Sequence, residues 1–304
     1  MSKIVKLLSI FVIGALLVST SCSQDKSKKI EKNLADQSKE KSKQLKKDFN
    51  KAKQVFYSLP SPIETAMLIK RSGVSYAPDL LNPLKNQTKY ISTYNLAMNL
   101  GVYTADISYA SIFNQSQTSI KYMATAKNIA ESLGILDAID QATIERLENN
   151  INNRDSIMDI ISATFMNSDS FLKENGRPEA AALIIAGGWI EGLYLATQHA
   201  RISPENEEIV DRIIDQKISL QSLTQLLKSY NQDEKVNKAL VNLLQIEEAF
   251  EDFKIVSSDI ESVTSEGDSK TILKAKTNVY HDKTHITKLT HVVDSVRTAI
   301  VVPE

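Results

Sequence analysis

One cysteine in 304 residues excludes an internal disulfide, and nine glycines and seven prolines leave little material for a turn-rich, many-stranded fold. Aromatic residues make up 6% of the chain, with a single Trp. There is no phosphate-binding glycine loop, no Gly-x-Ser-x-Gly elbow and no dinucleotide fingerprint. These absences weigh against catalysis and lead us to expect no cofactor.

The lone cysteine is informative by its place. Lys3 and Lys6 give a short basic start, Leu7 to Val18 is a run of apolar and small residues, and Ser19-Thr20-Ser21 precedes Cys22. The run falls short of the ~20 apolar residues that cross a bilayer. The pattern predicts a lipoprotein signal over residues 1–21 with Cys22 acylated, and an ordinary secretory leader is the alternative. Ser19, where such signals usually carry Leu, is the departure. An exported thiol with no partner in its own chain needs another purpose, and acylation supplies one. An acylated Cys22 is also closed to nucleophilic chemistry.

Charge divides the rest. The leader contributes +2, and residues 23–54 hold eleven Lys against five acids, a net of +6; with a chain total of −1, the remainder from Val55 carries −9. Residues 22–50 read as a Lys-rich tether with too few apolar groups to fold alone. Its lysines suit either open solvent or an anionic lipid surface, worth ~1 kcal/mol each. The acidic body repels phosphate backbones and argues against nucleic acid as partner. The membrane, through the anchor, and an envelope protein are the expected partners; the oligomeric state is left open.

Residues 51–304 are predicted to form a single all-α domain, with a subdivision near 230 as an option. The fold expected is a multi-helix antiparallel bundle with a long C-terminal helical hairpin. Alternating 3-4 spacing runs through Ile144, Leu147, Ile151, Arg154, Met158, Ile161 and Phe165. It recurs from Val236 through Ala239, Leu243, Ile246, Phe250, Phe253 and Ser257 to Ile260, and again from Ile286 through Leu289, Val293 and Val296 to Ile300. A looser stripe from Ile209 to Tyr230 is expected to break near Ser219. Gly134 and Gly176 suit left-handed helix ends. Ser203-Pro204-Glu205 and Asp233 suit helix starts. Residues 60–86 read as short helices and turns, and Thr271 to Val279 as extended.

Two glycine-bearing segments are the least ordinary. Gly101 and Ala105, and Gly188 and Gly192, stand four apart, where a helix presents a flat patch to another backbone. Ala180 to Ile190 is apolar on every side, expected at the centre of a globular body and too short for a membrane span. Into these segments the chain inserts Asp106 and Glu191, with Tyr103, Tyr109, Trp189, Tyr194 and His199 nearby. A buried carboxylate must be paired, hydrogen-bonded or protonated. Arg154, Arg177, Arg201 and the tyrosine hydroxyls are candidate partners. The constellation reads as a structural polar network or as a pocket for a small polar ligand or sugar. An acid–base pair of Asp106 and Glu191 would further require an open cleft. His281 and His285 have the i,i+4 spacing of zinc helices, but no third ligand accompanies them and His291 falls on another face.

The stretches Asn99-Leu100-Gly101-Val102-Tyr103-Thr104-Ala105-Asp106 with Tyr109-Ala110, and Ala186-Gly187-Gly188-Trp189-Ile190-Glu191-Gly192-Leu193-Tyr194, resemble those of all-helical lipoproteins of Bacteroidota, a family without an assigned activity. The resemblance runs from about Pro62 to His199 and implies location and fold, not function. Surface-exposed lipoproteins of that group often carry an acidic run after the cysteine. Ser23-Gln24-Asp25-Lys26 does not, which implies a periplasm-facing, lipid-anchored protein of the cell envelope. The expected role is a non-enzymatic structural or interaction module, with small-ligand binding as the alternative.

Overall fold

Local signals decide most helix ends. In the computed structural model, which describes residues 62–135, 141–150, 153–257, 261–264, 271–274, 277–280 and 283–303, the order begins with α1 (Pro62–Arg71) and two 3-10 turns at Pro78–Leu80 and Leu84–Lys89. There follow α2 (Thr93–Ile112), α3 (Ser116–Leu133), α4 (Gln141–Asn149), α5 (Arg154–Glu174), α6 (Pro178–Ile202), α7 (Glu207–Lys228) and α8 (Glu234–Phe250). Four short strands, β1 (Lys254–Ser257), β2 (Glu261–Thr264), β3 (Thr271–Lys274) and β4 (Thr277–Tyr280), precede α9 (Lys283–Val301). The fold is all-α, a multi-helix bundle. The strands pair antiparallel, β1 with β4 and β2 with β3, between α8 and α9. All described residues belong to one compact unit, Lys53–Glu304.

Gly134 closes α3 at φ 72° with its N–H on the carbonyls of Ala130 and Glu131, and Gly176 follows α5 at φ 71°. Asp233 caps α8 by accepting from the N–H groups of Lys235 (2.8 Å) and Val236 (3.2 Å). The 3-4 stripes are where the core lies: Val236, Ala239, Leu243, Ile246 and Phe250 of α8 and Leu289, Val293, Val296 and Ile300 of α9 are all buried. The extended reading of Thr271 to Val279 corresponds to β3 and β4.

Four local expectations are corrected. The stripe beginning at Val236 leaves the helix at Phe250, because the chain turns there and Ser257 belongs to β1. The stripe through Ile144 and Phe165 is two helices, since the Asn153 side chain accepts from the Ser156 N–H (3.2 Å) and starts α5 at Arg154. No break occurs at Ser219, which is buried within the continuous α7. Ser203 ends α6 rather than starting α7: its N–H donates to the His199 carbonyl, and Asn206 caps α7 through the Ile209 N–H.

The central pair of helices departs from an antiparallel arrangement. Met98 meets Gly187, Gly101 meets Gly188 and Tyr109 meets His199, offsets of nearly constant size, so α2 and α6 run parallel. They share the most extensive helix contact in the molecule, and α3, α9 and α1 pack around them. At 25 residues, α6 is long and apolar enough to cross a membrane, longer than its apolar core Ala180 to Ile190 suggests, yet its most apolar stretch is buried entirely in protein.

Candidate functional site: a sealed carboxyl pair and its arginine

Glycine creates the geometry. A Cβ on Gly101 would strike the Ile184 carbonyl oxygen and lie 2.5 Å from the Gly188 nitrogen; one on Gly187 would strike the Met98 carbonyl. The two backbones therefore touch, and only glycine permits it. Gly187 carries the close approach alongside Gly188. Gly192 turns instead to α1, where an added Cβ would sit 3.1 Å from the Thr65 methyl. This contact sets α2 and α6 so close that Asp106 and Glu191 meet, both with no exposure to solvent.

The counter-charge is Arg297 of α9. Its Nε donates to Glu191 Oε2 (2.9 Å) and one terminal nitrogen to Oε1 (3.0 Å), a two-pronged pair inside the core. The same nitrogen donates to the Leu80 carbonyl (3.2 Å), and the guanidinium lies 4.4 Å over the Tyr194 ring. Burial opposes the guanidinium charge, but Glu191 and Asp106 outweigh it and hold the Arg297 pKa above its ordinary value.

Asp106 stands differently. Its Oδ2 accepts from the Asn82 N–H (3.1 Å), while Oδ1 has no conventional acceptor role filled. Burial first, then the Glu191 charge, push its pKa well above the carboxylate range, against the pull of Arg297 and Asn82. Two carboxyls in contact beside one cation cannot both ionise cheaply, so Asp106 is the protonated member. As an acid, the Asp106 carboxyl gains a donor that it can offer to Glu191 beside it. The triad Asp106–Glu191–Arg297 is then neutral.

Amides and phenols surround it. Asn82 donates to Tyr90 Oη (3.0 Å) and Asn99 Oδ1 (3.3 Å), and Asn86 donates to Asn82 (2.9 Å). Tyr90 Oη and Asn99 Nδ2 donate to the Val301 and Ile300 carbonyls (both 3.0 Å), so side chains satisfy the open end of α9. Tyr103 donates to the Pro83 carbonyl (3.0 Å), and burial raises its pKa. A second pair lies further along: Tyr109 Oη accepts from the Ala77 N–H (2.9 Å) and bonds to His199 Nε2 (2.8 Å). Burial pushes the tyrosine up to about 12 and the histidine down, so the phenol donates to a neutral ring.

Of the residues singled out from sequence, Asp106, Glu191 and Tyr194 meet around Arg297, with Tyr103 beside them. Tyr109 belongs to the His199 pair. Trp189 is buried with its Nε1–H unpartnered among the described residues. Two of the expected arginines lie elsewhere. Arg177 donates to the Leu133 carbonyl (2.8 Å) at the end of α3, and Arg201 is exposed at the end of α6. Arg154 begins α5, and its side chain lies outside the described set. Cys22, the leader, the tether and His281 also lie outside the described residues. His285, in the first turn of α9, packs edge-on against Phe253 at 5.8 Å. Among the described residues no group of three His, Cys, Asp or Glu is placed to hold a metal.

Arg297 was missed because it stands one residue beyond the seam member Val296. Yet it is four after Val293 and three before Ile300, the same face in a helix, and that spacing was the available signal. Comparison with family models, curated proteins and solved structures finds no match to this chain.

Proposed function

We propose that the protein is a lipid-anchored cell-envelope lipoprotein whose helical body is a non-enzymatic structural or protein-interaction module, held at the periplasmic face through Cys22. The observation that carries the non-enzymatic part is the sealed state of Asp106 and Glu191, which are shut from solvent and matched by Arg297. An acid–base pair or a sugar-binding pocket needs ligand access to these oxygens. Their burial favours the structural reading over small-ligand binding at this position. The membrane part rests on the leader pattern and the lone cysteine, and agrees with the resemblance to helical lipoproteins of Bacteroidota.

Metabolic labelling with a clickable palmitate analogue, followed by fractionation, tests the anchor. Wild type is expected to be labelled and membrane-bound, and Cys22→Ala to be unlabelled and absent from the processed membrane pool. A normally processed, membrane-bound Cys22→Ala protein would remove the lipoprotein reading.

A further inference from the structure

A cavity of about 210 Å³ opens where the last turn of α6, the start of α7 and the first two turns of α9 meet. It lies apart from the carboxyl triad. Ala200, Val210 and Ile286 give it an apolar floor, of which Ala200 and Val210 are buried. Arg201, Lys283 and His291 form its rim. Two cationic side chains, Arg201 and Lys283, with the imidazole of His291 around one opening stand out on a body whose net charge is −9 from Val55 onward. Among the described residues, Lys283 is matched by Glu205 at 2.6 Å, and that pair is exposed and screened. Arg201 and His291 have no ion pair or hydrogen bond among the described residues.

An apolar base beneath a cationic rim selects a ligand with the same two parts. A neutral apolar molecule would leave Arg201 unused, and an inorganic anion would leave the floor in contact with water. We propose that this cavity binds a small amphipathic carboxylate, its short alkyl or aryl body on Ala200, Val210 and Ile286 and its anionic head between Arg201 and His291. The guanidinium suits this head, since its fork matches two carboxylate oxygens at once. The site is separate from the central acids and has the opposite charge preference.

Isothermal titration of hexanoate into the full-length protein in nanodiscs tests this, with empty discs subtracting what partitions into lipid. The expected result is saturable binding that weakens at least ten-fold in Arg201→Gln. Thr287→Trp, which fills the opening from an exposed position on its lining, should abolish it. Hexylamine, with the same chain and opposite charge, should give no saturable heat, and acetate should bind more weakly for want of a tail. Unchanged melting of both variants would show that each is folded. The proposal is overturned by absence of saturable hexanoate binding above empty discs, by equal binding of hexylamine, or by affinity indifferent to both substitutions.

Discussion

Replacing Arg297 by Met is the sharpest test of how the centre is held. Methionine keeps much of the side-chain length but removes both bonds to Glu191 and the one to the Leu80 carbonyl. Glu191 would then be left with no solvent exposure, beside Asp106 and without a cation. Breaking a buried pair from one side costs about 3–5 kcal/mol, and an orphaned buried carbonyl about 1–3 more, without full additivity. A loss of about 4 kcal/mol or more is therefore expected in urea unfolding at pH 7. The double variant Glu191→Leu, Arg297→Met removes both charges and should recover most of the loss, since apolar replacement of a buried pair is often neutral or better. A single variant within about 1 kcal/mol of wild type would refute the reasoning. So would a double variant as unstable as the sum of its parts.

Three further outcomes follow from the same geometry. The raised pKa of Asp106 means that the folded protein keeps a proton which the unfolded chain releases above the ordinary aspartate value of 3.8; its contribution is complete at low pH and is lost as pH rises through the folded value. Asp106→Asn should remove that slope and gain relative to wild type at pH 7.5 over pH 4.5 by urea midpoints, and an equal difference at both would be contrary. Gly187→Ala should lower the melting temperature strongly, because the new methyl meets the Met98 backbone and overpacking costs about 1–3 kcal/mol or more; an unaltered melt would contradict the close approach. Tyr109→Phe removes the donor to His199 and the acceptor for the Ala77 N–H, for a loss of about 1–3 kcal/mol in thermal or urea melts, and a neutral effect would deny the pair its role.

What could be read from the chain and what could not divide along physical lines. Seams and caps are local: the core stripes of α8 and α9, the left-handed Gly134 and Gly176 and the Asp233 cap each depend on a few adjacent residues. The touching of α2 and α6 was legible in outline, because glycine inside an apolar helix costs about 1 kcal/mol and implies a neighbour. That Gly187 shares the contact with Gly188 depends on the rotation of α6, which composition does not set. The partner of Glu191 was the larger miss. Charge matching across the chain offers several arginines of equal standing, and only the docking of α9 singles out Arg297. Strand formation after Phe253 escaped because a 3-4 apolar spacing was continued through a segment that the chain uses as a turn.

The separation of that arginine from the acids has a bearing on the order of events at the ribosome. Arg297 follows Glu191 by 106 residues, and its helix is also the one whose end carbonyls are taken up by Tyr90 and Asn99, about two hundred residues earlier. A nascent chain that stops short of α9 holds two acids at its centre with no cation to neutralise them. Such a chain lacks the contact that makes burial of those acids favourable. Closure of the centre is thereby tied to the docking of α9, through contacts of long sequence range that are slow to form.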